Sequence, residues 1–177
     1  MRKLNAAIGR VLLLALLVAG LSSCGGSTAP LDPIQLRSLL TQELLIISTG
    51  IERQDPLLAS QPLDNDFHMD DNVAIRYQDS AWGGPDVKGP APFLAFLNKV
   101  FGLHANIVMT LELSDVQQTG DLATASVHVV WNSTRTDNVP PGHYTADDHD
   151  YFFFRRRAEG WRLLRWQETP APPPPFE

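Results

Sequence analysis

The hydrophobic period of this chain changes once, near residue 105, and that change limits the fold more than any other feature. Before it, Leu36, Leu40, Leu44, Ile47 and Ile51 recur at spacings of three and four, which lays one apolar stripe along a helix. After it, the period is two. In "IVMTLEL", Ile107, Met109, Leu111 and Leu113 share one face, while Val108, Thr110 and Glu112 share the other. In "ATASVHVVW", Ala123, Ala125, Val127, Val129 and Trp131 alternate with Thr124, Ser126, His128 and Val130. "TGD" (119–121) between those runs is a hairpin signal, and Ala158-Glu159-Gly160 is another between "DYFFFRRR" and "WRLLRWQ". Helices gathered ahead of hairpin-paired strands predict an α+β fold on an antiparallel sheet.

The helical half has its own punctuation. Asp32-Pro33 supplies an N-cap and a proline at the first helical position. Gly50 weakens the last turn of that helix, and Asp55-Pro56 ends it. A short second helix fits Leu57–Leu63, and a strand fits "NVAIRY" (72–77). A third helix fits Pro92–Leu103, with Phe93, Phe96, Leu97, Val100 and Phe101 as its apolar face. "TPAPPPPFE" (169–177) is a proline-rich tail suited to extended polyproline II, and "GGSTAPLD" (25–32) is a flexible tether. One core is therefore expected over residues 31–168.

The N-terminus carries a different message. Arg2, Lys3 and Arg10 precede or flank the uncharged run "VLLLALLVAGL" (11–21), which is shorter than the ~20 residues needed to cross a bilayer. A basic stretch, a short apolar stretch and then small residues is the layout of an export signal. Leu21-Ser22-Ser23-Cys24 resembles the lipobox of bacterial lipoproteins, whose cysteine is lipidated and becomes the first mature residue. The resemblance implies a signal peptide over 1–23, lipid attachment at Cys24, a tether over 24–30 and a membrane-held protein of the cell envelope. Gly25, rather than Asp, resembles the pattern sent to the periplasmic side of the outer membrane where the host has one.

Cys24 is the only cysteine, so the rest of the chain has no disulfide framework, Cys-ligated zinc or cysteine nucleophile. Losing residues 1–23 takes three of the 14 basic residues and leaves 11 against 20 acidic ones. So acidic a domain is repelled by phosphate backbones, which argues against nucleic acid as a partner. The basic run Arg155-Arg156-Arg157 reads as the solvated end of a hairpin.

The order of elements is similar to that of the nuclear-transport-factor-2-like superfamily, which includes ketosteroid isomerases and SnoaL-like polyketide cyclases. Three stretches carry the resemblance: "DFHMDDNVAIRY" leading into a strand, "KGPAPFLAFLNKVF" as a Gly-led helix, and "HDYFFFRRRAEGWRLLRW" as the last hairpin. It spans about 135 residues. The resemblance implies a cone, in which a curved sheet wraps the long first helix and leaves a pocket at its open end. With no recognisable catalytic pair, the reading it implies is a module binding a small apolar molecule or an envelope protein, and the alternative is an isomerase, dehydratase or cyclase working by acid–base catalysis.

The candidate residues are several, and the spacing of none selects it. Catalysis of that kind needs a carboxylate base and a hydrogen-bond donor. Tyr77, His104, His128, His149, Asp150 and Tyr151 could supply them, although alternation sends Asp150 and Tyr151 to opposite faces and puts His128 away from Trp131. Tyr77, Trp82, Trp131 and Tyr151 are the candidate ligand contacts, with Trp82 set in the glycine-rich "SAWGGPD" near the expected mouth. "DFHMDD" (66–71) and "GHYTADDHD" (142–150) mix imidazole with carboxylate, but turn chemistry produces such loops unaided, and no metal or cofactor is expected.

Overall fold

The computed structural model describes residues 30–70, 73–74, 87–136 and 142–168. Helix α1 spans Pro33–Glu52, and the Asp32 carboxylate accepts the Ile34 and Gln35 backbone N–H groups at 2.9 and 3.2 Å. The stripe Leu36, Leu40, Leu44, Ile47 and Ile51 is buried along its length. Asp55 caps the short α2, Pro56–Ser60, by accepting the Leu58 N–H at 3.0 Å. Strands β1 (Leu63–Met69) and β2 (Val87–Lys88) precede α3, Pro90–Leu103. Then come β3 (His104–Thr119), β4 (Leu122–Arg135), β5 (His143–Arg157) and β6 (Gly160–Glu168).

The six strands form one sheet in the order β2-β1-β6-β5-β4-β3. All neighbours are antiparallel except β1 and β6, which run parallel, so the sheet is mixed where an antiparallel one was expected. That pairing joins the first long strand to the last, a contact that hairpin signals do not announce.

Three other differences follow from local context. The first strand is Leu63–Met69 rather than 72–77, and α2 stops at Ser60 instead of running to Leu63. Val73 and Ala74 are helical, and the rest of "NVAIRY" lies outside the described residues. "LDNDFHM" lacks clean alternation, with buried residues at Leu63, Asp64, Phe67 and Met69, so a polar residue in the core hid the strand. "GHYTADDHD", read as a loop, is mostly the first half of β5, because its polar residues face outward at every second position.

The sheet curves round α1. Register shifts at Ala105/Val108 and Ser114/Gln117 mark bulges in β3, and a bulge bends the strand that carries it. Asn106 and Asp115, with φ of 51° and 45°, sit at those two bulges, in the left-handed region that Asn and Asp tolerate best. Because β3 is an edge strand, its spare backbone groups need partners. The helix layer supplies them. Arg37 donates to Leu113 O at 2.7 Å, Glu52 Oε1 accepts from Met109 N at 3.0 Å, and Gln54 donates to His104 O at 2.9 Å.

The core lies between α1, α3 and the inner sheet face. Ile107 and Met109 of β3, and Ala123, Ala125, Val127, Val129 and Trp131 of β4, are all buried there, as alternation predicts. Leu111 and Leu113 pack against the same cluster half-buried.

Candidate functional site

The inner face is apolar until its polar residues are placed by register. On β4, the parity that buries Trp131 also buries Ser133. Cross-strand pairing sets Tyr144 opposite Ser133, Ala146 opposite Trp131, Asp148 opposite Val129 and Asp150 opposite Val127. Glu168 of β6 then faces Asp150. Three carboxylates and a phenol thus share the face that α1 covers. Like charges directly opposite one another in a sheet cost stability, so Asp150 and Glu168 are a poor choice for packing alone.

His104 enters from the side. It is the first residue of β3 and follows α3 directly, its N–H closing the helix on Val100 O. Its ring is 1% exposed and sits edge-on to Trp131 and Tyr144, with centroids 5.8 and 5.1 Å away. Nδ1 lies 2.7 Å from Ser133 Oγ, and Trp131 Nε1–H donates to the same oxygen at 2.9 Å. Asp150 is wholly buried, and its Oδ2 accepts from Trp166 Nε1–H at 2.7 Å. The face therefore holds an imidazole and a carboxylate out of water, each oriented by a tryptophan N–H, in one case through Ser133.

His128, His149 and Tyr151 lie on the other face. His128 Nε2 is 2.7 Å from Asp147 Oδ1, its Nδ1 is 3.8 Å from Glu112, and its ring stacks on His149 at 4.7 Å. The hydrogen bond to Asp147, helped by Glu112, holds the imidazole pKa above its usual range. This is a solvent-facing cluster. Tyr151 does not converge on the cone with Trp131, a correction to the ligand-contact set: it lines a cavity of about 340 Å³ on the outer face with Thr124, Ser126, Asp115 and Gln117. Tyr77 and Trp82, the expected mouth, lie outside the described residues, as does Cys24. Among the described residues, no three His, Cys, Asp or Glu side chains gather to hold a metal, and no helix is long and apolar enough to cross a membrane.

Of the named candidates, the structure brings His104, Trp131 and Asp150 to the inner face. Sequence reasoning missed Ser133, Tyr144, Asp148 and Glu168. The available signal was parity: Ser133 is two residues beyond Trp131, and Asp148 and Tyr144 are two and six before Asp150.

No family model matches the chain, and no curated protein matches it. Solved structures do. A ketosteroid isomerase-like protein from Erwinia carotovora atroseptica is 18% identical, with a TM-score of 0.57 over 76% of this chain and 97% of its own. A nuclear transport factor 2-like superfamily protein from Salmonella enterica is 14% identical, with a TM-score of 0.59 over 82% of this chain and 99% of its own. A hexachlorocyclohexane dehydrochlorinase of type 2 is 13% identical, with a TM-score of 0.59 over 81% and 97%. The chain has the nuclear-transport-factor-2-like cone fold.

Proposed function

We propose that the inner face binds a small, mostly apolar molecule and moves a proton on it, as an isomerase, dehydratase or cyclase does. The observation that carries this reading is the burial of His104 and Asp150 among the Val, Ala, Phe and Trp side chains of the inner face. A buried carboxylate and imidazole cost free energy that an apolar pair would avoid, so their retention points to use. Neighbours of the same fold that are named as isomerase-like and as a dehydrochlorinase support it. In this reading Asp150 takes the proton, and His104 holds the far end of the molecule. Ser133 and Val127, opposite Tyr144 and Asp150, are six residues apart on β4, about 20 Å of strand. With both side chains reaching inward, one molecule touching both ends is about 10–15 Å long, the size of three or four fused rings.

The test is proton exchange. Three- and four-ring enones incubated with the protein in D2O should take up deuterium beside the carbonyl faster than in buffer. Asp150→Asn should slow that uptake at least about a hundredfold, the usual contribution of a general base. A second reading, a pure binding module, draws on the fact that His104 bonds to Ser133 and Asp150 to Trp166, both neutral groups. Quenching of tryptophan fluorescence by the enones without deuterium uptake would favour it. Neither quenching nor uptake would remove both.

We further propose that the domain is held at the outside of a bacterial membrane through lipid on Cys24. Support comes from the basic start, the short apolar run and "LSSC", with an envelope protein partner as an additional possibility of that location.

A further inference from the structure

Three heavy-atom positions on the inner face decide where a hydrogen sits. Trp131 Nε1 can only donate, so its 2.9 Å contact places a hydrogen in one lone pair of Ser133 Oγ. Ser133 is 2% exposed, so its own hydroxyl hydrogen has no access to water. Among the described residues, the acceptor within reach of that hydrogen is His104 Nδ1, 2.7 Å away. The opposite arrangement, with Nδ1–H donating to Oγ, would give the oxygen two incoming hydrogens and strand its own. A buried donor left unsatisfied is disfavoured strongly enough to bias the two tautomers about tenfold or more.

We infer that Ser133, itself held by Trp131, fixes His104 as the neutral tautomer protonated on Nε2, so the site offers its ligand an N–H donor and selects an uncharged oxygen acceptor, a carbonyl. Ser133 and Trp131 are positioning residues, acting through His104. The ligand half of the inference rests on the reading that the inner face is the binding site; the tautomer half stands without it. The arrangement also divides the work between the two buried groups. With Nδ1 engaged by Ser133 and Nε2 already protonated, His104 is a donor rather than a base, which leaves proton removal to a carboxylate on β5.

The experiment is long-range proton–nitrogen NMR on the full chain labelled with 15N-histidine, at neutral pH, with His104 assigned by the signal lost in His104→Gln. Nδ1 should be pyridine-like and Nε2 pyrrole-like. Ser133→Ala should raise the share of the Nδ1–H form about tenfold, and Ser133→Thr, which keeps the hydroxyl, should restore the wild-type pattern. A pyrrole-like Nδ1 or a doubly protonated ring in the wild type overturns the assignment, so the wild-type spectrum decides even if Ser133→Ala does not fold. An unchanged ratio in folded Ser133→Ala overturns the role of Ser133. For the ligand, 9-fluorenone, a fused-ring ketone with no α-hydrogen to lose, should shift the Nε2 resonance, whereas fluorene, lacking the oxygen, should not. Equal shifts from both, or none from fluorenone, overturn the carbonyl selection. Because neither ketone binding nor tautomer state requires turnover, these outcomes are separate from deuterium uptake.

Discussion

Asp64 sits at 2% exposure in β1 and would be a costly residue to bury alone. It is not alone. Arg157 approaches it with both ends of its fork, Nε to Oδ2 at 2.7 Å and Nη2 to Oδ1 at 2.8 Å, while Arg155 bonds Asp66 at 2.8 Å. The run Arg155-Arg156-Arg157, which reads in sequence as a solvated hairpin end, instead ties β5 to the start of β1 across the parallel pairing with β6. The Arg157 hydrogen bonds, against the opposing effect of burial, hold the Asp64 carboxyl below its usual range. A folded-state pKa below the unfolded value means stability that is complete above the ordinary carboxylate range and lost as pH falls through the folded value. Arg157 is 39% exposed, so the pair is worth less than a fully buried one. Asp64→Asn should cost about 1–3 kcal/mol at pH 7. Urea midpoints should show the gap between the two proteins narrowing as pH drops below 4. A gap that holds constant down to pH 2 would mean that shape, not charge, is what Asp64 supplies.

At the scale of elements, the turn between α1 and α2 turns on one glycine. Gly50 lies in the last turn of α1 against Ala59 of α2, and a Cβ there would stand 2.6 Å from Ala59 Cα and 2.8 Å from its Cβ, with the Ala59 amide nitrogen closer still. Helix propensity alone would make Gly50→Ala favourable by ~1 kcal/mol. Backbone atoms cannot rotate aside as a side chain can, so overpacking of about 1–3 kcal/mol should win and lower the urea midpoint. A raised midpoint would show that α2 is free to move. Sequence marks Gly50 as a weak spot because it records propensity at a position and not what crosses it. The same limit explains the uneven legibility elsewhere. Helices α1 and α3 and the faces of β3 and β4 were legible, since one buried side imposes a period on each. Strand β1 was not, because Asp64 breaks its pattern and its partner for the pair is a hundred residues away. In the site, His104 and Asp150 were visible as residue types, but only register shows that they share a face and His128 does not.

For the whole molecule, the question is where an acidic cone with a polar lining works. The proposed anchor would answer it through a length: residues 25–30 reach at most about 20 Å when extended, so a domain beginning at Leu31 would stay close to a bilayer holding lipid on Cys24. A small apolar ligand of the kind proposed partitions into that bilayer, and a cone kept beside it meets the ligand at far higher local concentration than one free in solution. A single acyl chain would hold the protein only marginally, whereas the multiple chains of a lipoprotein hold it stably. Cys24→Ser should therefore abolish palmitate labelling and leave precursor or released protein, while the thermal midpoint of the folded domain stays unchanged, because the core cluster of the described residues is built from Leu36 to Trp166. Labelled, membrane-held Cys24→Ser protein would refute the anchor. A midpoint lowered as far as by Asp64→Asn would show that the segment around Cys24 packs against the domain, and the tether would then have to be redrawn as part of the fold.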